Sequence, residues 1–197
     1  PCHNAARYFL LNNRGAIAPG YLADFAIIDN FKNFNVEMVF KKGELYYNDG
    51  KLKDFPAPAI EEYLDERAHD TFHVRHLTEE DFEDVRQRGV IGMIPGEIVT
   101  TDNGYADHVD LEKDILKIAV VERHKNTGHI GLGYIQGYGL KSGAVATSIS
   151  HDSHNIIVVG TNAADMAFAA NYIVENHGGI VVVKDGKVLS SVVLEIA

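Results

Sequence analysis

The most regular pattern of apolar positions in this chain lies between residues 162 and 177. Its apolar side chains recur at i, i+3, i+4, i+7 and i+8, which is the spacing of one face of a helix. They are Met166, Ala169, Ala170, Ile173 and Val174. The pattern predicts an α-helix whose start is capped by Thr161 or Asn162 and whose left-handed end residue is Gly178.

Short apolar runs separated by turn signals predict strands on both sides of this helix. Residues 144–150 and 156–160 are predicted strands before it. After it, residues 179–196 form a predicted hairpin with Asp185-Gly186 as the turn. Earlier in the chain, residues 90–100 and 118–122 are predicted strands, and the stretch from Asp102 onward is a predicted loop.

The first 54 residues predict one helix followed by a small set of antiparallel strands. Residues 3–12 place apolar side chains on one helical face, and Arg14-Gly15 ends that pattern. Predicted strands follow, and they are residues 21–29, 36–40 and 44–47. Asn48-Asp49-Gly50 is a strong signal for a hairpin turn after the last of them.

A linker is predicted at residues 55–58, because two prolines within three positions interrupt regular structure. It separates a domain at residues 1–54 from a second domain at residues 59–197. Residues 61–86 carry ten acidic side chains against three arginines, which is typical of a solvated surface, and Thr78 is predicted to begin a short helix there. The predicted fold class is α+β and strand-rich.

Composition narrows the classes of function that the chain can have. Apolar residues make up 46% of its 197 residues, which is enough for a hydrophobic core. The formal net charge of -10 argues against binding to nucleic acid or to an anionic membrane, since both require a basic surface. Cys2 is the only cysteine, so structural zinc sites built on several cysteines are excluded and a reducing cytoplasmic location is expected.

The two ends of the sequence resemble the interior of a longer protein. The chain opens at Pro1 without a methionine or a signal-peptide pattern, and it closes in a strand-like run. We therefore expect a fragment.

Candidate chemistry concentrates in residues 124–154, which hold four of the ten histidines. They are His124, His129, His151 and His154. Histidine offers a metal ligand, a proton shuttle or a hydrogen-bond donor near neutral pH, and Asp152 between two of them could fix an imidazole tautomer or exchange a proton. The alternative for each histidine is a hydrogen-bonded structural role.

Several specific chemistries lack their sequence signals. His151 and His154 are three positions apart, so on a strand they would face opposite sides and share no metal unless the chain turns between them. A nucleophilic triad is only weakly indicated. Its candidates, Ser150, His151, Asp152 and Ser153, are neighbours in sequence, which rarely reach the required geometry, and the chain has no Gly-x-Ser-x-Gly elbow. The cysteine motif of the zinc nucleobase deaminases is absent as well.

Three stretches together resemble the bacterial adenine deaminases of the amidohydrolase superfamily. The first combines residues 4–9 with residues 14–25, whose Gly-x-Ile-Ala-x-Gly-x-x-Ala-Asp pattern is widespread in that superfamily. The second covers residues 122–144 and the third residues 150–162, and both resemble the C-terminal domain found in adenine deaminases. The resemblance covers nearly the whole chain and is loosest in the acidic 55–115 region.

The resemblance implies a fold and an activity. The fold would be a remnant of the small β-sandwich followed by a mixed α/β C-terminal domain, with the catalytic (β/α)8 barrel absent from this chain. The activity of the parent enzyme would be hydrolysis of adenine to hypoxanthine and ammonia at a divalent centre of iron or manganese. The family's metal ligands lie on the barrel and include a His-x-His pair, which this sequence lacks. No metal or cofactor is therefore expected in this chain, and alone it should be inactive.

The candidate substrate-proximal residues are Ser150, His151, Asp152, Ser153, His154 and Asn155, together with His124 and His129. The resemblance implies that the 150–155 segment is a loop near the barrel mouth. Its polar groups would either bond to a purine edge, where unpaired groups penalise the wrong base, or only shape the interface with the parent's own barrel domain. The alternatives outside this family are a self-standing metal- or ligand-binding module and a homo-oligomerisation module.

Overall fold

A computed structural model of the chain describes residues 2–54, 58–83, 86–194 and 196. The chain divides into two compact units, Pro1–Ala59 and Ile60–Ala197. Of the predicted linker at residues 55–58, only Pro58 is among the described residues. The strand-rich α+β class is confirmed, and the described residues form no (β/α)8 barrel.

The first unit is a short helix followed by one antiparallel sheet. Helix α1 (Cys2–Tyr8) precedes four strands in the order β1-β2-β3-β4. Their bounds are β1 (Phe25–Ile28), β2 (Val36–Lys41), β3 (Glu44–Asn48) and β4 (Lys51–Leu52). The helix is shorter than predicted, because Leu10 adopts a positive φ and the Leu11 amide turns back to the Ala6 carbonyl at 2.8 Å. The predicted hairpin turn is confirmed between β3 and β4.

The second unit is built on one sheet of eight strands. Its order is β12-β11-β9-β10-β7-β8-β5-β6, and every neighbouring pair is antiparallel except β5 and β8. The strands are β5 (Arg88–Met93), β6 (Thr100–Ala106), β7 (Ile115–Val121), β8 (Ile130–Gln136), β9 (Ala144–Thr147), β10 (Ile156–Gly160), β11 (Gly179–Lys184) and β12 (Lys187–Val193). The helices are α2 (Glu62–His69), a 3₁₀ turn (Glu79–Asp81) and α3 (Ala163–Glu175).

Helix α3 covers one face of this sheet, which we call the core face. Met166, Ala170 and Ile173 are fully buried there against apolar side chains of β9, β10 and β11. Asn162 caps the helix as predicted, since its side chain accepts a hydrogen bond from the Asp165 amide at 2.8 Å. The prediction that Gly178 is the left-handed residue at the end of the helix was wrong. His177 takes that conformation with a φ of 55°, and the Gly178 amide bonds to the Ile173 carbonyl at 3.0 Å.

Two strands lie where the sequence predicted none. Residues 100–106 form the edge strand β6 rather than the predicted loop, and the glycine-rich run after residue 129 forms β8. An edge strand buries little of its surface, so β6 is composed mainly of polar residues and shows no apolar alternation. The predicted strand at residues 90–100 ends at Met93, because the chain turns at Pro95-Gly96.

Most described residues of the acidic stretch before β5 are exposed or half-buried, whereas Leu77 and Phe82 lie in the core. Helix α2 buries none of its residues, as its charge predicted. Thr78 begins the 3₁₀ turn, where the Asp81 carboxylate accepts the Thr78 amide at 2.9 Å and pairs with the Arg75 guanidinium. No helix among the described residues has the length and apolar character required to cross a bilayer.

Candidate functional site

The candidate residues lie on two loops at one end of the eight-stranded sheet. Residues 122–129 connect β7 to β8, and residues 148–155 connect β9 to β10. Because β10 runs antiparallel to β7 with Ile156 opposite Val121, the two loops leave the sheet side by side. We call residues 150–155 the tip loop.

Arg123 joins the two loops beneath their surface. It is only 3% exposed, and its Nε donates to the main-chain oxygen of His154. Its Nη1 donates to the Thr71 hydroxyl at 3.1 Å, and its guanidinium lies 4.1 Å from the centre of the Phe72 ring. The backbone amide of Arg123 also donates to the Asn155 side chain at 3.4 Å. Burial lowers the pKa of the Arg123 guanidinium, which still carries its charge at neutral pH.

A second tie comes from the neighbouring residue. The His124 Nε2 lies 2.9 Å from the main-chain oxygen of Ser153, and since a carbonyl only accepts, this nitrogen carries the hydrogen. Within the tip loop, the His154 amide donates to the Ser150 carbonyl at 2.8 Å, and the Ser150 and Ser153 hydroxyls lie 2.9 Å apart. His154 has a φ of 53°, which turns the chain at that point. The structure thus brings together His124 and four of the six tip-loop candidates.

The other two tip-loop candidates point away from this network. The His151 Nδ1 lies 2.8 Å from the Asp152 carboxylate, and the two side chains are 98% and 96% exposed. A carboxylate that accepts the Nδ1 hydrogen leaves Nε2 of the neutral ring as an acceptor for an incoming group. The pair therefore presents a paired imidazole and carboxylate to solvent.

Glu122 fixes the shape of the first loop. Its carboxylate accepts hydrogen bonds from the His124 amide at 2.6 Å, the Lys125 amide at 2.9 Å and the Thr127 hydroxyl at 2.8 Å. The bonds from Thr127 and from these amides outweigh partial burial and lower the pKa of Glu122 to about 2. His129 lies at the far end of this loop with an exposed side chain, and the structure does not bring it to the tip loop.

Arg123 and the segment beginning at Thr71 were not among the predicted site residues. One signal for Arg123 exists in the sequence. Ala119 and Val121 face the core, and continuing that alternation by two places Arg123 inward as well. Among the described residues, no three His, Cys, Asp or Glu side chains converge as metal ligands.

The sequence of this chain is similar to known proteins over nearly its whole length. Residues 96–197 match the family model described as the adenine deaminase C-terminal domain. Curated proteins named adenine deaminase are similar over 98% of this chain, with 41% identity in Dehalococcoides mccartyi, 41% in Geobacillus kaustophilus and 43% in Petrotoga mobilis. The match covers 35% of each relative, so the chain spans about a third of their length. The chain belongs to the adenine deaminase C-terminal domain family.

Proposed function

We propose that this chain is the C-terminal region of an aminohydrolase that converts adenine and water to hypoxanthine and ammonia. The observation that carries the proposal is the similarity to adenine deaminases over 98% of the chain, including both loops of the candidate site. Its nearest rival is a self-standing ligand- or metal-binding module built on the same loops.

The reaction needs an activated water, and a divalent ion such as iron or manganese supplies it by lowering the pKa of bound water. We place the ligands of that ion on a barrel domain outside this chain. The contribution of this chain would then be to bind the substrate and to orient it. On this proposal the 197 residues alone release no ammonia from adenine.

Within the proposed enzyme, we assign to the tip loop a contact with the purine or with the segment that covers the bound purine. The Asn155 side chain and the two serine hydroxyls already have partners within the chain, whereas His151 and Asp152 face outward. In this arrangement the Asp152 carboxylate and the His151 Nε2 are both acceptors, which suits the amino hydrogens of adenine. The competing assignment gives the same pair to the interface with the barrel domain.

The proposal is tested by expressing the complete reading frame that contains this chain and measuring ammonia release from adenine. Release by the complete protein and none by the 197-residue chain supports it. An absence of release from the complete, folded and metal-loaded protein contradicts it. Metal bound stoichiometrically by the 197-residue chain would instead favour the self-standing module.

A pair of matched variants tests the role of the tip. In the complete protein, Asp152→Asn should raise the KM for adenine about tenfold, roughly what the loss of one or two polar contacts costs. The control is Asp107→Asn, because Asp107 pairs with the adjacent His108 at 2.5 Å in the same exposed arrangement but outside both loops. Equal KM values for the two variants would assign the tip loop to the interface.

A further inference from the structure

We infer that Arg123 is a positioning residue that sets the conformation of the tip loop, and hence the placement of the His151–Asp152 pair. The inference rests on the function proposed above, because it gives the placement of that pair a purpose. Arg123 itself is too deeply buried to touch a substrate. Its effect on the reaction would therefore pass through the loop that it holds.

The contacts of Arg123 reach two segments of the chain, the tip loop and residues 71–73. The guanidinium donates to His154 in the tip loop and to the Thr71 hydroxyl and carbonyl, at 3.1 and 3.4 Å, in the segment after α2. The main-chain oxygen of Arg123 accepts the His73 amide at 2.7 Å. One residue at the end of β7 thus ties the tip loop and the 71–73 segment to the sheet.

Consecutive residues hold consecutive carbonyls of the tip loop. Arg123 binds the main-chain oxygen of His154, and the His124 ring binds that of Ser153. Both contacts act on the half of the loop that follows His151 and Asp152 in sequence. With that half held against β7, the two exposed side chains are left at the opposite, solvent-facing end.

The contact set is specific to arginine. A planar guanidinium donates along two directions in its own plane while its face stacks on an aromatic ring. Arg123 uses both donor directions and the flat face: it donates to His154 and to Thr71, and it stacks over the Phe72 ring. The ammonium of lysine has neither the planar fork nor the flat face, so Arg123→Lys keeps the charge and loses the geometry.

The first experiment needs no catalysis. Amide hydrogen exchange is measured on the 197-residue chain for the wild type, Arg123→Lys and Arg123→Met, with Arg75→Met as the control. Arg75 is a neighbouring arginine whose guanidinium pairs with Asp81 and not with the tip loop. We expect exchange in residues 150–155 to accelerate at least tenfold in both Arg123 variants, with the interiors of β7 and β10 unchanged. Unchanged exchange in the tip loop of Arg123→Lys overturns the inference.

The lysine variant keeps the test decisive if Arg123→Met does not fold, since it retains the positive charge at the same place. Faster exchange spread evenly over the second unit would also overturn the inference, because it would show that Arg123 only stabilises the fold.

The second experiment measures the reaction in the complete protein. Arg123→Lys should lower kcat/KM for adenine at least tenfold while the thermal midpoint stays within a few degrees of the wild type, and Arg75→Lys should match the wild type in both. An active wild type in which the two lysine variants behave alike contradicts the positioning role. An inactive wild type contradicts the proposed function instead, and the exchange experiment then decides the role of Arg123.

Discussion

The strongest single-residue test of the second unit is the removal of the Asp165 carboxylate. Asp165 lies in the first turn of α3, is only 3% exposed, and reaches the turn of the β11–β12 hairpin. It accepts the Gly186 amide at 2.8 Å, the Asp185 amide at 3.2 Å and the Asn162 side chain at 2.9 Å. Helix and hairpin are thereby joined through one side chain.

The size of the effect follows from these three bonds. Hydrogen bonds to a charged group contribute about 1.5–3 kcal/mol each. The Asp185 and Gly186 positions are exposed, so water can replace part of what they lose. Removing the carboxylate also removes the cost of burying a charge. We therefore expect Asp165→Ala to lower the free energy of unfolding by roughly 2–4 kcal/mol, and Asp165→Asn by about half of that, because its amide oxygen still accepts.

The assay is guanidinium unfolding of the 197-residue chain followed by the helical circular dichroism signal. Asp152→Asn is the matched control, since the Asp152 side chain is 96% exposed and its loss should change the free energy of unfolding by less than about 0.5 kcal/mol. A midpoint for Asp165→Ala that equals the control, with an unchanged m-value, would refute the assignment of Asp165 as the link between helix and hairpin.

The stabilisation that the Asp165 carboxylate provides should depend on pH, and the direction of that dependence follows from its pKa. Burial raises the pKa of Asp165, but the bonds from Asn162, Gly186 and Asp185 outweigh it, and the pKa lies below the ordinary aspartate value of 3.8. A lowered pKa means that the stabilisation is fully present above pH 3.8 and is lost as the pH falls through the folded-state value. The difference between the wild type and Asp165→Asn should therefore be constant near neutral pH and shrink in acid below about pH 4.

Two further predictions concern the glycine turns and the first loop. Gly143→Ala places a Cβ 2.1 Å from the Val183 carbonyl at a φ of 85°, whereas Gly139→Ala has a φ of 84° and open space. Chemical denaturation should show Gly143→Ala to be about 2 kcal/mol less stable than Gly139→Ala, and equal losses would contradict the clash. For Glu122, the amide shifts of residues 125–127 should show a titration step near pH 2, and Glu122→Gln should abolish that step. A midpoint between pH 4 and pH 5 would contradict the hydrogen-bond pattern of that carboxylate.

Elements whose signal is local could be predicted from the sequence. Helix α3 carries a complete apolar stripe and its own cap at Asn162, and the Asp185-Gly186 turn needs only its two residues to adopt positive φ. These features depend on interactions within a few positions of the chain. Their bounds in the structure agree with the prediction to within one or two residues, apart from the end of β12.

Elements whose signal comes from distant partners could not be predicted. β8 consists of Ile130–Gln136, and two of its first four residues are glycines with little β-propensity. It forms because β7 pairs with it on one side and β5 on the other. The edge strand β6 has β5 as its ladder partner. Pairing of this kind is absent from any single segment of sequence.

In the candidate site, residues recognised by their side-chain type could be predicted, whereas a residue that binds main-chain groups could not. The tip loop was found through its residue types, which the resemblance singled out as a motif. Arg123 was not found, because its partners include the main-chain oxygens of His154 and Thr71, and every residue has such an oxygen. A side chain that acts on main-chain groups leaves no partner residue type in the sequence to recognise. What the sequence does hold is the alternation that continues from Val121 to Arg123, and a charged residue on the core side of a strand end implies buried hydrogen-bonding partners nearby.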